Sequence, residues 1–444
     1  MISNMKKTEH LIKDLNNEVM EGWKNTNSLK SLQSLLVTSS LSLYEESPPF
    51  NFSQTTVYSS AEKRSNEEGV RRVLARLKKE LEPWQTSPIS IISQQETEAL
   101  EAIITSHLVE IDHGRYLFDE PFLEFFLNKG YLDSARDFFM MAQKKDSNLT
   151  LEEVFQAIRN VWIMNSLQLI WNLPVEITPS VYAYSMLYPY TDNFLDDPEV
   201  SHSDKNQFNQ KLSDLIQGIP QTSKNFHQQR VFKLISDVEN QYPRSHFPMV
   251  YEGLGLIQDA QILSLRQNQS GSLAKEELIK LSFYKGGASV LGDACLVKGF
   301  LTPQEITFAF HYGTFLQLVD DLQDIKEDRR EGHQTVFTLT APNQTLDKDL
   351  VALFSYINTV SSPHPWDSST TQYMKKIIGS CSLLMIMTTL GKEPQLISPS
   401  LFQKTEAISK VHLDFYPWIE KEFQSLTSDI DLDLSIKDYG KKLT

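Results

Sequence analysis

The sequence predicts an all-α protein built as a helical bundle, and three observations carry that prediction. Helix signals recur along most of the chain, whereas the alternating pattern of a half-buried strand is sparse. Two segments open with a capping box, in which a Thr and a Glu three residues later satisfy each other's backbone donors. With 444 residues, of which 40% are hydrophobic, the chain is long enough to bury a sizeable core.

The N-terminal part is predicted to be a short helical extension followed by a linker. Polar and Pro-containing sequence at about 44–69, YEESPPFNFSQTTVYSSAEKRSNEEG, is typical of a linker. We therefore divide the chain into an extension with its linker over 1–65 and a main all-α domain over 66–444. Within the main domain, SSPHPWDSSTTQ at 361–372 is predicted to be a loop.

The main domain is predicted to be a series of helices. Thr150 with Glu153, and Thr302 with Glu305 and Pro303, mark the N-termini of two of them. The other predicted helices span about 94–112, 120–143, 180–197, 204–218, 224–241, 247–267, 273–299, 345–360, 369–391 and 399–427.

Charge and cysteine content limit the classes of function. The 57 acidic and 42 basic residues give a net charge of -15, which disfavours a sequence-independent grip on nucleic acid or anionic lipid. Cys295 and Cys381 are too few and too isolated for a disulfide framework. We find neither an export signal nor a run of about 20 apolar residues. We therefore expect a cytoplasmic protein without a membrane span or a nucleic-acid partner.

One acidic stretch lies late on a predicted helix, in FLQLVDDLQDIKEDRREGHQ over 315–334. Asp320, Asp324 and Asp328 follow one another at i, i+4 spacing, which puts them within a stripe of about 80° on a helix. Like charges at this spacing repel each other, and the apolar residues before them place this face near the core. Carboxylate oxygens without His or Cys favour a hard cation such as Mg²⁺.

A second acidic group lies about 125 residues upstream, in VYAYSMLYPYTDNFLDDPEV. Asp192 and Asp196 are again one helical turn apart and follow an apolar and aromatic run. A solvated surface is the usual explanation for one acidic cluster in a chain this acidic. Two clusters with the same spacing could instead face each other across a bundle and hold metal ions between them.

The two clusters resemble the aspartate-rich motifs of class I isoprenoid synthases. DNFLD over 192–196 is similar to the first motif of bacterial large terpene synthases, the tetraprenyl-β-curcumene synthase-like proteins. Squalene and phytoene synthases share much of the second motif, including the Gln that Gln317 matches. The resemblance covers roughly 120–340. In the second motif it rests on Asp320, Asp324, Glu327, Asp328, Arg329 and Gly332.

This resemblance implies an all-α class I isoprenoid synthase fold with a central active-site cavity. Three Mg²⁺ ions held by both motifs would bind a prenyl diphosphate of C15 or longer. Homodimers are common in the superfamily, so the resemblance admits one here. The metal ligands and catalytic residues would be Asp192, Asp196, Asp320, Asp324 and Asp328.

Departures from the relatives narrow the implied reaction. PEVSHSDK after the first motif lacks the Arg pair of head-to-tail prenyl-chain elongases, and EGHQTVFT after the second supplies His333 where squalene and phytoene synthases have Arg. The reaction that we expect is therefore ionisation and cyclisation of one prenyl diphosphate, with release of diphosphate. Head-to-head or head-to-tail prenyl transfer and a non-catalytic binding or assembly subunit remain alternatives.

Several residues are candidates for contacts with the substrate. Lys285 precedes Gly286 and Gly287, a helix-weakening pair, and the matching helix of class I synthases is often broken beside the substrate. Lys285 would then meet the diphosphate and the glycines would line the pocket; close helix packing beside a surface Lys is the alternative. Arg266 and Arg329 are further diphosphate candidates, and a solvated Arg is the alternative for each.

Aromatic side chains near the motifs could stabilise a carbocation by cation–π attraction. Tyr188 and Phe315 are the two that we assign to substrate binding. The alternative for every member of the set is ordinary core packing. The set comprises Tyr184, Tyr188, Tyr190, Phe194, Tyr284, Phe310, Tyr312 and Phe315.

Overall fold

All regular secondary structure in the described part of the protein is helical. The computed structural model describes residues 2–85, 94–146, 149–197, 199–268, 271, 273–340, 344–364 and 367–429. Helices account for 79% of these residues, and no β-strand occurs among them. The predicted all-α class is therefore confirmed.

Nineteen α-helices are described, joined by short 3₁₀ turns at Phe52–Gln54, Leu265–Asn268 and Pro394–Leu396. In chain order they are α1 (Ile2–Thr26), α2 (Leu29–Glu46), α3 (Ser60–Gln85), α4 (Gln94–His113), α5 (Leu123–Asn128), α6 (Tyr131–Lys145), α7 (Leu151–Ile170), α8 (Pro179–Asp196), α9 (His202–Ile216), α10 (Phe226–Gln241), α11 (Pro248–Ser264), α12 (Lys275–Lys298), α13 (Pro303–Gln323), α14 (Ile325–Glu331), α15 (Val336–Thr340), α16 (Asp347–Val360), α17 (Ser369–Lys392), α18 (Pro399–Ile408) and α19 (Phe415–Asp429).

The predicted helices are present, with two differences in continuity outside the second acidic stretch. The segment predicted as one helix over 120–143 is α5 and α6, because Gly130 between them takes a left-handed conformation with φ of 88°. The segment over 399–427 is α18 and α19. The linker is shorter than predicted, since α3 begins at Ser60.

Both capping boxes form as predicted. Thr302 Oγ1 accepts a hydrogen bond from Glu305 N at 3.4 Å, and Thr302 N donates to Glu305 Oε2 at 2.8 Å. Glu153 N donates to Thr150 Oγ1 at 3.2 Å, and Thr150 N donates to Glu153 Oε2 at 2.8 Å. Each box fixes where its helix begins, which sets the register of α7 and α13 in the bundle.

Contacts divide the described chain into two compact units, one of Met1–Phe50 with Gln156–Ser382 and one of Asn51–Phe155 with Leu383–Thr444. These units follow spatial contacts and do not decide where independently folding domains begin. The predicted division between 1–65 and 66–444 therefore stays a prediction. No described helix combines the length and the hydrophobicity that a membrane span requires.

The first unit is organised around α12 and α13. α12 is buried over most of its length and packs against α2, α8, α11 and α13, while α13 also packs against α1 and α16. α12 and α13 cross at Gly286 and Gly313, where a Cβ on Gly286 would lie 2.3 Å from Gly313 O. The two backbones approach this closely because neither residue has a side chain.

The second unit packs α3 against α4 and α19. The Arg71 guanidinium of α3 lies over the Trp418 ring of α19, with 4.0 Å between the guanidinium carbon and the ring centroid. At the end of α4, Asp112 Oδ2 accepts hydrogen bonds from the backbone of Phe122 and Leu123 at 2.8 and 2.7 Å. These contacts tie the ends of the helices together, and none of the predicted site residues lies in this unit.

Candidate functional site

The second aspartate-rich motif lies where α13 passes into α14. α13 ends at Gln323, and Asp324 leaves the helical conformation with φ of -88° and ψ of 4°. Asp324 N still donates to Asp320 O at 3.0 Å, and Asp328 N donates to Asp324 O at 2.8 Å. The predicted i, i+4 ladder is thus present. The expectation that one long helix carries the whole motif is wrong, because the helix is interrupted at Asp324.

Burial and mutual repulsion raise the pKa values of the acidic side chains in this motif. Asp328 is affected most: burial first, and then the charges of Asp321 and Asp324, raise its pKa to about 7. Burial followed by the charge of Asp321 raises the pKa of Asp320, and burial followed by the charge of Asp320 raises that of Asp324. The motif therefore carries more negative charge than its surroundings compensate.

Two cations face this acidic cluster without neutralising it. Lys285 of α12 lowers the pKa values of Asp320, Asp321, Asp324 and Asp328, although each remains raised. Arg159 of α7 acts in the same direction on Asp320 and Asp324. Within the described structure neither Lys285 nor Arg159 forms an ion pair, so both keep their hydrogen-bond donors for another anion.

Asp321 has a different role from its neighbours in the motif. It is 5% exposed, and it accepts hydrogen bonds from Ser282 Oγ at 2.7 Å and from Gln317 Nε2 at 2.8 Å. These bonds satisfy both carboxylate oxygens inside the contact between α12 and α13. Asp321 therefore anchors the motif to α12, whereas Asp320 and Asp324 remain exposed to water.

Several side chains beside the contact between α12 and α13 are accessible to water. Asp320 is accessible to water although the surrounding protein desolvates it, as expected for a carboxylate in a concave surface. In the buried middle of α12, Lys285 and Ser289 are partly exposed and lie one helical turn apart. Lys285 and Ser289 are thus on one face of α12, and Lys285 is close enough to the aspartates to lower their pKa values.

The first motif ends α8, which begins at a Thr178 cap and packs against α10 and α12. The side chains of Tyr188, Asp192 and Asp196 lie outside the described part of the structure. Their predicted roles as substrate contact and metal ligands stay predictions.

Gly286 and Gly287 lie inside an unbroken helix. α12 is continuous from Lys275 to Lys298, which confirms the helix predicted over 273–299, and it lacks the break that is frequent in class I synthases. A Cβ on Gly287 would lie 2.6 Å from the Phe310 ring, and Gly286 meets the backbone of Gly313. The alternative of close helix packing accounts for both glycines, and their assignment to substrate binding stays a prediction.

The other substrate candidates differ in their partners and in their exposure. Arg266 donates a hydrogen bond to Glu277, so its guanidinium already has an acidic partner. Arg329 is exposed. His333 pairs with Asn268, and burial with the nearby charge of Lys285 lowers its pKa. Phe315 is 1% exposed, and the described aromatic side chains of the set are buried apart from the half-buried Phe194. Core packing is consistent with the buried ones, and the assignment of Phe315 to substrate binding stays a prediction.

The donor chemistry of the cluster fits Mg²⁺. Asp320, Asp324 and Asp328 offer oxygen atoms only, and their mutual repulsion is what a divalent cation would relieve. Among the described side chains no three acidic, His or Cys groups converge on one metal position. A complete coordination shell would therefore need ligands beyond the second motif, as the two-motif prediction requires.

Arg159, Asn160 and Asp293 were not predicted as site residues. Arg159 is the one basic residue of α7, a signal visible in the sequence. Its neighbour Asn160 donates to Asp293 Oδ1 at 3.4 Å and to Ser185 Oγ at 3.3 Å. Asp293 is fully buried on α12, and burial raises its pKa well above the ordinary value. A lone acid in a run of small and apolar residues was its only sequence signal.

Comparison with known proteins gives this chain no family. No protein-family model, no curated protein and no solved structure matches it.

Proposed function

We propose that the protein is a Mg²⁺-dependent class I terpene synthase that ionises and cyclises one prenyl diphosphate of C15 or longer and releases diphosphate. The observation that carries this proposal is the surplus of carboxylates at the end of α13, faced by Lys285 and Arg159, which both lack an ion pair in the described structure. Carboxylates in excess would bind metal ions, and the unpaired basic side chains would bind an anion. A diphosphate with its Mg²⁺ ions supplies both.

Asp320, Asp324 and Asp328 would hold Mg²⁺, together with Asp192 and Asp196 of the first motif. Bound Mg²⁺ would neutralise the diphosphate and so stabilise the charge that develops as the allylic C–O bond breaks. Lys285 and Arg159 would donate hydrogen bonds to the diphosphate oxygens and hold the leaving group beside the aspartates. Asp321 would keep α13 fixed against α12 through Ser282, and Gln317 of α13 would hold its second carboxylate oxygen.

Three alternatives stay open on the same residues. A head-to-head synthase or a head-to-tail elongase would use the same cluster with a second prenyl or isopentenyl substrate. A non-catalytic subunit would bind prenyl diphosphate without turning it over, since fold does not secure function. The sequence departures after both motifs favour cyclisation over the two condensations.

The test is turnover of defined substrates. The purified protein is incubated with Mg²⁺ and prenyl diphosphates of C10 to C35, each with and without isopentenyl diphosphate, and products are identified by mass spectrometry. A cyclic or rearranged hydrocarbon from one diphosphate alone is expected. Longer diphosphates formed only with isopentenyl diphosphate would instead identify an elongase.

A matched pair of variants connects the activity to the cluster. Asp324→Asn keeps the size of the side chain and removes one carboxylate, and we expect turnover to fall by about 100-fold or more. Glu331→Gln removes an exposed acid from the same segment and is expected to leave turnover unchanged. Equal turnover in Asp324→Asn and Glu331→Gln would refute the metal-binding role.

Binding without turnover is measured separately. Pyrophosphate with Mg²⁺ should raise the melting temperature of the wild-type protein and have little effect on Asp324→Asn. Stabilisation of the wild type without any product from any substrate would favour the non-catalytic subunit.

A further inference from the structure

A cavity of about 340 Å³ lies inside the first unit at the opposite end of α13 from the aspartates. Its wall includes α13 residues from Gln304 to His311, whereas Asp320 and Asp324 lie at the other end of this helix of about 30 Å. The volume is within the range of about 300–1,000 Å³ typical of ligand pockets and would hold about ten water molecules. Exposed Asn172 and Gln304 on its wall bring it into contact with solvent.

The wall contains a buried ammonium group that is only partly satisfied. The side chain of Lys375 is 5% exposed, and its Nζ donates to Asp367 Oδ2 at 2.6 Å. Asp367 is the one hydrogen-bond acceptor that Nζ has in the described structure, although an ammonium carries three donors. The Phe308 ring lies beneath Nζ, with 5.0 Å to its centroid. Lys375 therefore has donors left for a group inside the cavity.

The formal charges along the wall are balanced. Lys375 pairs with Asp367, and Glu305 pairs with Lys298 at 2.5 Å. Burial lowers the pKa of His364 to about 4 and that of His311 to about 3, so both imidazoles are neutral at neutral pH. An ion entering the cavity would meet no uncompensated charge of opposite sign and would lose its hydration, so the wall disfavours charged ligands.

An unsatisfied acceptor also belongs to the wall. Asn16 Oδ1 of α1 is buried without a hydrogen-bond partner among the described residues. Apolar surface from Ile12, Trp171, Phe308 and Val360 makes up much of the remaining wall. The cavity thus combines unused donors on Lys375 and an unused acceptor on Asn16 with apolar and aromatic walls.

We propose that this cavity binds a small neutral molecule that has an apolar body and a polar head able both to accept and to donate a hydrogen bond, such as an alcohol or a primary amide. The polar head accepts a hydrogen bond from Lys375 Nζ or donates one to Asn16 Oδ1, and the body packs against Trp171 and Phe308. The proposal is independent of the function proposed for the aspartate cluster.

The test compares probes that differ in charge and share one ring. Benzyl alcohol and benzamide are the neutral probes, and benzoate and benzylammonium are the charged ones. Binding to the full-length protein is measured by saturation-transfer NMR with titration at neutral pH. We expect saturable binding of the neutral probes and about tenfold or more weaker binding of the two ions. Equal or tighter binding of either ion would overturn the proposal.

Three variants localise the bound probe. Asn16→Leu removes the unsatisfied oxygen, so it should fold at least as well as the wild type and bind benzamide about tenfold more weakly. Lys375→Met removes the donors and is also expected to weaken binding where it remains folded. Lys376→Met changes the exposed neighbour on α17 and should bind like the wild type.

Two outcomes would contradict the assignment. If no neutral probe saturates, the cavity holds water only. If Asn16→Leu binds benzamide as the wild type does, the bound molecule lies elsewhere. Addition of Mg²⁺ and pyrophosphate should leave probe binding unchanged, and competition between them would place the probe at the aspartate end.

Discussion

The two ends of α13 differ in whether their charged side chains are paired. At the C-terminal end, Asp320, Asp324 and Asp328 crowd together, and neither nearby cation pairs with them in the described structure. At the N-terminal end, the buried Lys375 pairs with Asp367 and Glu305 pairs with Lys298. Paired buried charges maintain a fold, whereas crowded like charges oppose it. The contrast supports our proposal that the aspartate end binds a ligand, and it predicts different responses to mutation at the two ends.

The largest effect is expected from breaking the pair at the balanced end. Lys375→Met leaves the carboxylate of Asp367, whose side chain is 8% exposed, buried without its cation. Removing one partner of a buried pair typically costs about 3–5 kcal/mol in the free energy of unfolding. Urea denaturation measures this loss.

Lys376→Met is the control for that measurement, because Lys376 is the exposed neighbour on the same helix. Its free energy of unfolding should stay within about 0.5 kcal/mol of the wild type. If the two variants are equally stable, Lys375 and Asp367 do not hold this end together, and the comparison of the two ends fails.

The next effect concerns the middle of α13, where the crossing with α12 fixes both ends in place. Gly286→Ala puts a Cβ 2.3 Å from Gly313 O, which is backbone and moves little, so we expect a loss of about 1–3 kcal/mol. Gly255→Ala on α11 meets nothing within 4 Å and should gain up to about 1 kcal/mol from helix propensity. Thermal unfolding measures both variants. A lower melting temperature for Gly286→Ala and a higher one for Gly255→Ala would show that the contact with Gly313 outweighs helix propensity at Gly286.

Local sequence rules predicted the helices well. The Thr302 and Thr150 capping boxes and the i, i+4 ladder through Asp324 depend on residues within one helical turn of each other, so a single sequence contains the whole interaction. The same rules located the second acidic motif at the end of α13.

The interactions that were missed link residues distant in sequence. Gly286 packs against the backbone of Gly313, and Asn160 donates a hydrogen bond to Asp293. Neither contact can be deduced from the residues next to it in the sequence. The break at Asp324 arises inside a segment whose pattern continues as a helix. These three features therefore depend on tertiary packing, which local helix propensity does not determine.

A third prediction separates simple burial from the crowding of like charges. Asp293 is fully buried, and its Oδ2 has no hydrogen-bond partner in the described residues. Burial raises the pKa of Asp293 well above the ordinary 3.8, and the hydrogen bond from Asn160 opposes this. Above pH 3.8 the unfolded chain loses a proton that the folded state keeps, so the free energy of unfolding falls as pH rises toward the folded pKa.

Asp293→Asn mimics the protonated side chain and should remove this pH dependence. We expect the variant to exceed the wild type by at least about 1 kcal/mol at pH 7 and to match it near the ordinary pKa. Melting temperatures across that range, with and without Mg²⁺, provide the measurement. A gain that disappears when Mg²⁺ is added would mean that Asp293 responds to the metal site and is not an isolated buried acid.

The smallest change in stability is expected at the crowded end. Asp324→Asn removes one member of a repelling ladder, so the free energy of unfolding should stay the same or rise by about 0.2–0.5 kcal/mol. The same variant is expected to lose turnover, and a side chain whose removal stabilises the fold while abolishing activity is retained for its ligand. A clear loss of stability, similar to that of Lys375→Met, would instead make Asp324 a structural residue, and the two ends of α13 would then be alike.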